Sequence, residues 1–206
     1  MEHIRFVLGI AAAILHGTAF YLYTKQVKLG ESQPKIATWS VGMALMLLNA
    51  LTFREMSKDG VATLQFFVGF GGSAVVFLYA LVKGKFSKPK QTERWAMLLG
   101  IFAAIVWYMF REAAWANAIV LVALLIAFWP TWEGVYRDPF SDSPRSWVMW
   151  ASAYLITTVN VLLNMSNPNW HVMSLVNPIV SAIAHGLVAV LSTESRKNKF
   201  RQFTTR

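Results

Sequence analysis

Seven apolar stretches divide the 206-residue chain, and each approaches the length that crosses a bilayer as a helix. They run from 6 to 24, 36 to 53, 61 to 82, 95 to 110, 115 to 132, 146 to 165 and 171 to 191. About 20 apolar helical residues span a hydrocarbon core about 30 Å thick. The sequence therefore predicts an all-α, multi-pass membrane protein with seven transmembrane helices.

The composition excludes several classes of protein. Hydrophobic residues make up 56% of the chain and charged residues 14%, whereas soluble domains carry about 25% charged residues. The absence of cysteine excludes disulfides, thiolate-bound zinc, iron–sulfur clusters and cysteine nucleophiles. The basic residues behind the net charge of +9 lie between apolar segments, so we expect no nucleic-acid partner. No catalytic triad or metal-ligand cluster stands out, so we predict no enzymatic activity and no cofactor.

The distribution of lysine and arginine predicts the orientation, because cytoplasmic loops collect positive charge. With seven crossings, one side receives fifteen of these residues and the other side receives four. The four are Arg5, Arg54, Lys58 and Arg111. The amino terminus is therefore predicted to lie outside the cell and the carboxyl terminus in the cytoplasm, which places the chain in the cell membrane.

Two segments that follow the first and fifth predicted helices are similar. Val27–Trp39 reads VKLGESQPKIATW and Val135–Trp147 reads VYRDPFSDSPRSW, so a shift of 108 aligns both the valine and the tryptophan. A shift of 111 instead pairs Trp39 with Trp150 and Asn49 with Asn160. Either shift maps helices one to three onto helices five to seven and leaves the fourth as a connector.

This repeat predicts a layout of three, one and three helices with two parallel repeats. The predicted units are a first three-helix bundle (1–90), a linker helix (91–113), a second three-helix bundle (114–195) and a basic cytoplasmic tail (196–206). The single linker helix lets both bundles keep the same orientation in the membrane.

The layout resembles that of the SWEET and PQ-loop transporter superfamily. The best local match is Pro130, Thr131 and Trp132, then Val135 to Pro139, then Ser143, Ser146 and Trp147. The chain departs from the motif where Thr131 occupies the position of its glutamine. The resemblance implies facilitative sugar transport by a diverged member, or by a relative such as the similarly built nicotinamide riboside transporters.

Polar residues inside the predicted spans recur at helical spacing. They are Asn49 and Thr52 in the second helix, Thr157, Asn160 and Asn164 in the sixth, and Ser174, Asn177, Ser181 and His185 in the seventh. Amides offer donors and acceptors without charge, which suits a neutral polar solute. The candidate solute-binding residues are Asn49, Asn160, Asn164, Asn177, Ser181, His185 and Trp150. Alternatively, such residues only link helices to one another.

Three prolines are candidate hinges. Pro130 and Pro178 lie inside predicted spans, where proline removes a helical hydrogen bond, and Pro34 precedes the second span. All ten acidic residues fall in loops or close to span ends. Mid-membrane carboxylates that could relay protons are therefore not expected, which favours uncoupled transport.

The sequence predicts a facilitative transporter of a small neutral polar solute such as a sugar, working by alternating access between the two bundles. The alternative is a non-transporting receptor or assembly scaffold whose basic tail binds a partner or anionic lipid. The expected partners are the solute and membrane lipid. Whether the chain forms a homo-oligomer is left open by the sequence.

Overall fold

A computed structural model describes residues 1–32, 36–83, 88, 90–168 and 170–193. Every regular element in this part of the chain is an α-helix. The helices are α1 (Glu2–Lys28), α2 (Ile36–Ser57), α3 (Gly60–Lys83), α4 (Gln91–Phe110), α5 (Ala113–Arg137), α6 (Pro144–Leu162) and α7 (Val172–Leu191). The prediction of an all-α protein is confirmed.

Six of these helices are long and apolar enough to cross a membrane: α1 to α5 and α7. The exception, α6, contains several polar residues that lower its mean hydropathy. Ser146, Thr157 and Asn160 are at most 1% exposed, so these residues of α6 face protein and are shielded from lipid. The helix lengths and composition are those of a membrane protein.

The ends of α6 differ from the prediction. Proline at the first turn begins the helix at Pro144, because a first-turn residue needs no amide hydrogen. The helix ends at Leu162, before the expected residue 165. Asn164, which the sequence placed on one helical face with Asn160, therefore lies in the turn that follows α6.

The helices pack in a regular pattern. α3 packs against α1 and α2, and α7 packs against α5 and α6. Further contacts join α1 to α6 and α2 to α5. α4 packs against α5 and, less extensively, against α2. Three clusters of buried residues fill the interior, and the most aromatic contains Phe20, Tyr23, Trp147 and Trp150.

Two of the three candidate hinge prolines lie within continuous helices. Pro130 is inside α5 and Pro178 is inside α7, and both helices run past the proline. Pro34 and the basic tail lie outside the described residues. A hinge function for these prolines stays a prediction.

Gly9 allows α1 to approach α3 closely, which gives a first testable prediction. A Cβ atom at Gly9 would lie 2.9 Å from the carbonyl oxygen of Val61 and would collide with the Val61 side chain. We expect Gly9→Ala to lower the free energy of unfolding by about 1–3 kcal/mol, because overpacking forces the helices apart. The measurement is the thermal unfolding midpoint in detergent.

Gly17→Ala is the matched control on the same helix. Its added Cβ would lie 3.4 Å from Val68, an ordinary van der Waals contact. Equal midpoints for the two variants would contradict the close approach at Gly9.

Candidate functional site

A cavity of about 290 Å³ lies among α1, α2, α3, α5, α6 and α7. It extends from His16 and His185, within the helices, to Ser141 and Asp142 in the loop between α5 and α6. None of the described residues that line it belongs to α4. We call the end of the protein near this loop the open side, and the opposite end the sealed side.

Aromatic rings form most of the cavity wall around Trp150. The Trp150 ring centroid lies 5.0 Å from that of Trp147, 4.9 Å from Phe20, 5.5 Å from Tyr23 and 5.7 Å from His185. The contacts of Trp150 with Trp147 and Phe20 are edge-to-face, an arrangement that aromatic quadrupoles favour. The cavity wall is therefore composed largely of aromatic rings packed face to edge.

His185 presents a hydrogen-bond acceptor to the cavity. Its Nδ1 lies 2.7 Å from the carbonyl oxygen of Ser181. A carbonyl oxygen can only accept, so Nδ1 carries the proton and Nε2 of the neutral ring is left as an acceptor. Phe128 and Tyr154 pack against the imidazole, with ring centroids 4.8 Å and 5.1 Å away, and hold its orientation.

His16 has the opposite arrangement. The amide nitrogen of Gln65 lies 3.1 Å from His16 Nδ1, and the Thr157 hydroxyl donates to the Gln65 carbonyl oxygen. An amide nitrogen can only donate, so Nδ1 accepts and Nε2 of the neutral ring carries the proton. Gly69 makes room for this nitrogen, since a Cβ there would lie 3.1 Å from Nε2.

Two indole N–H groups at the cavity have no partner among the described residues. They belong to Trp147 and Trp150, which are 6% and 2% exposed. A buried donor that is left unpaired costs about 1–3 kcal/mol. Both indole nitrogens are themselves buried, so a ligand in the cavity does not reach them in the described conformation.

Asp142 brings a carboxylate to the open side of the cavity. Its Oδ1 accepts hydrogen bonds from the Ser32 hydroxyl at 2.5 Å and from the Ser143 amide at 2.8 Å. The residue is only 7% exposed. Asp142 lies in a loop, as the sequence indicated, but its position at the cavity was missed, because loop packing depends on the whole fold.

Asn49 and Asn177 lie in a buried cluster with Asn117, which we call the amide triad. Asn177 Nδ2 donates to Asn49 Oδ1 and to Asn117 Oδ1, each at 2.7 Å. Asn117 Nδ2 donates to Asn49 Oδ1 and to the Thr52 hydroxyl oxygen, each at 2.9 Å. All three asparagines are 0% exposed, and none is among the described residues that line the cavity. The triad joins α2, α5 and α7.

A second polar cluster holds α1 and α6 together at the sealed side. Arg5 forms an ion pair with Asp59, which lies in the turn between α2 and α3. Asn164 Nδ2 lies 3.4 Å from Asp59 Oδ2, and Asn160 Nδ2 donates to the backbone oxygen of Arg5 at 3.0 Å. Asp59 Oδ1 also accepts from two amides in the first turn of α3. We call the Arg5–Asp59 pair the latch.

Comparisons with known proteins give no relative for the chain. No protein-family model, curated protein or solved structure matches it.

The structure separates the candidate residues into two groups. Trp150 and His185 line the cavity, as does Pro130. Ser181 holds His185 through its carbonyl oxygen. Asn49 and Asn177 belong to the amide triad, and Asn160 and Asn164 bond to the two members of the latch. Asn117 was missed, because the residues around it in the first half of α5 are apolar and it forms no polar stripe in the sequence.

Proposed function

We propose that the chain is a facilitative transporter of a small neutral polar solute in the cell membrane. It works by alternating access between one bundle of α1 to α3 and another of α5 to α7, with α4 as the linker. The observation that carries the proposal is the cavity, which all six bundle helices line and which reaches the open side. On the sealed side, the amide triad and the latch hold the helices together. Access from one side at a time is what an alternating-access carrier requires.

The helix contacts support two parallel repeats. Exchanging α1 with α5, α2 with α6 and α3 with α7 converts the α1–α6 contact into the α5–α2 contact. The same exchange converts α1–α3 into α5–α7 and α2–α3 into α6–α7. The same exchange also matches two sets of hydrogen bonds. Those that link α1, α3 and α6 through Gln65 correspond to those that link α5, α7 and α2 in the amide triad.

The burial pattern favours the shift of 108 over the shift of 111. Buried residues of α3 fall on buried residues of α7 when 108 is added: Phe66 on Ser174, Gly69 on Asn177, Ser73 on Ser181, Val76 on Ala184 and Ala80 on Val188. A shift of 111 would place buried Val76 on Leu187, which is 42% exposed.

The charge distribution supports a cavity that faces the cytoplasm. The open side contains the end of α1, the start of α2 and the loop between α5 and α6. These segments belong to the side that carries fifteen of the nineteen lysines and arginines. On this proposal the described state is the inward-facing one, with the latch and the triad on the outer side.

Reconstitution into liposomes tests the proposed function. Purified protein is expected to accelerate saturable entry of at least one labelled neutral solute from a panel of sugars, nucleobases, nucleosides and amides. Collapse of the proton gradient with an ionophore should leave the rate unchanged, because the proposed transport is uncoupled. If no solute enters faster than in protein-free liposomes, the receptor or scaffold alternative replaces the transporter.

A further inference from the structure

We infer that the solute is a planar, neutral heteroaromatic ring that carries a carbonyl group next to a ring N–H. The inference rests on the proposed transport function and names the chemical class of its solute. The ring is presented as a free base or as the base of a nucleoside, which share this chemistry.

The wall of the cavity favours a flat ring. Eight of the described lining residues have aromatic or imidazole rings: His16, Phe20, Tyr23, Trp39, Phe128, Trp147, Trp150 and His185. A stacked or edge-to-face contact with a bound ring adds about 0.5–1.5 kcal/mol beyond the burial of apolar area. The cavity volume of about 290 Å³ suits a small molecule of this kind.

The hydrogen-bonding groups of the cavity match a carbonyl beside an N–H. His16 offers a donor, because its Nε2 carries the proton, and a carbonyl oxygen can accept from it. His185 Nε2 is an acceptor, because Nδ1 donates to Ser181, and a ring N–H can donate to it. A ligand with both groups would satisfy the two imidazoles together.

The same cavity is poorly suited to a sugar. Four serine and threonine hydroxyls line it, and those of Thr38, Ser73 and Ser141 already donate to protein acceptors. No asparagine, glutamine, lysine or arginine is among the described lining residues. Most of the hydroxyls of a sugar would lose water without gaining partners, at a cost of about 1–3 kcal/mol for each unpaired group.

An organic cation is also disfavoured, although aromatic cages often bind cations. The N–H at His16 Nε2 carries partial positive charge and would repel a cation in the cavity. The carboxylate of Asp142 lies at the open side and already accepts two hydrogen bonds. This end instead offers a polar environment for the ribose of a nucleoside.

Flux measurements with four labelled solutes test the solute class. In proteoliposomes we expect saturable entry of uracil or uridine, and entry of glucose and choline at the protein-free rate. Preference for uracil identifies the free base as the source, and preference for uridine identifies the nucleoside. Faster entry of glucose or choline overturns the inference and leaves transport intact. No accelerated entry of any solute in the wider panel overturns the transport function, and the inference with it.

Methylated solutes, measured with the wild type and with a His185 variant, test the role of His185. 1,3-Dimethyluracil has no ring N–H, so we expect its KM in the wild type to be about 3- to 10-fold higher than that of uracil. In His185→Phe the KM of uracil should rise by a similar factor. Methylation of the solute should then raise the KM of this variant little further. If methylation and His185→Phe instead raise KM independently, so that their two factors multiply, the assignment of His185 is overturned.

Trp150→Phe keeps an aromatic ring but removes the larger surface of the indole. We expect the KM of uracil to rise about 3- to 10-fold with little change in kcat, because part of the aromatic contact with the solute is lost. Trp115→Phe is the matched control, since Trp115 is 69% exposed and lies away from the cavity. Equal KM values for the two variants would overturn the assignment of Trp150 to the solute site.

Discussion

Gly42→Trp is expected to abolish solute flux while the protein remains folded. Gly42 lines the cavity from α2, and a Cβ atom added there meets nothing within 4 Å. The indole can therefore occupy the cavity without displacing the backbone. A tryptophan side chain fills most of a site of this size, so we expect the rate of saturable entry to fall at least about tenfold. The measurement is flux in proteoliposomes at matched protein content.

Gly71→Trp provides the matched control. A Cβ at Gly71 also meets nothing within 4 Å, but Gly71 is exposed on α3 and does not line the cavity. This variant should keep the flux of the wild type. If Gly42→Trp transports normally and both variants have wild-type thermal midpoints, the cavity is not the solute path.

Arg5→Met is expected to be strongly destabilising and to loosen the sealed side. Methionine keeps part of the aliphatic stem of Arg5 but leaves Asp59, which is 8% exposed, without its cation. Removing one partner of a buried ion pair costs about 3 kcal/mol, which corresponds to a fall of roughly 6–12 °C in the thermal midpoint of a chain of this size. Thermal unfolding in detergent measures the effect.

Two further variants show whether the loss comes from the buried pair. Asp59→Asn added to Arg5→Met should recover part of the stability, because the uncompensated charge is removed. Arg137→Met breaks an exposed pair with Glu133 and should change stability by no more than about 0.5 kcal/mol. Equal falls in the midpoint for Arg5→Met and Arg137→Met would show that the latch has no special role.

The absence of cysteine makes the opening of the sealed side measurable. Ala50→Cys introduces a single thiol at a position that is 0% exposed. Its labelling by a membrane-impermeant maleimide should become faster when Arg5→Met is added, because the outward-facing state is then more populated. An unchanged labelling rate would contradict a gating role for the latch.

The helices could be predicted from the sequence because an apolar run of the required length has few alternatives in lipid. The hydrogen-bond partners of the polar residues could not be predicted from the sequence. A helical stripe shows that Asn177 shares a face with Ser181, but not whether the amide faces a solute or another helix. Its partners Asn49 and Asn117 lie 128 and 60 residues away in the chain. Such long-range pairing is decided by packing, as is the approach of Asp142 to the cavity.

The amide triad also bears on how readily the protein can change state. Asn49 Nδ2 and Asn177 Oδ1 have no partner among the described residues, so the triad leaves one donor and one acceptor unused. A fully bonded cluster would make this conformation a deep energy minimum and slow every departure from it. Incomplete bonding makes this well shallower, which in the proposed transporter would let thermal motion and solute binding drive the change of state.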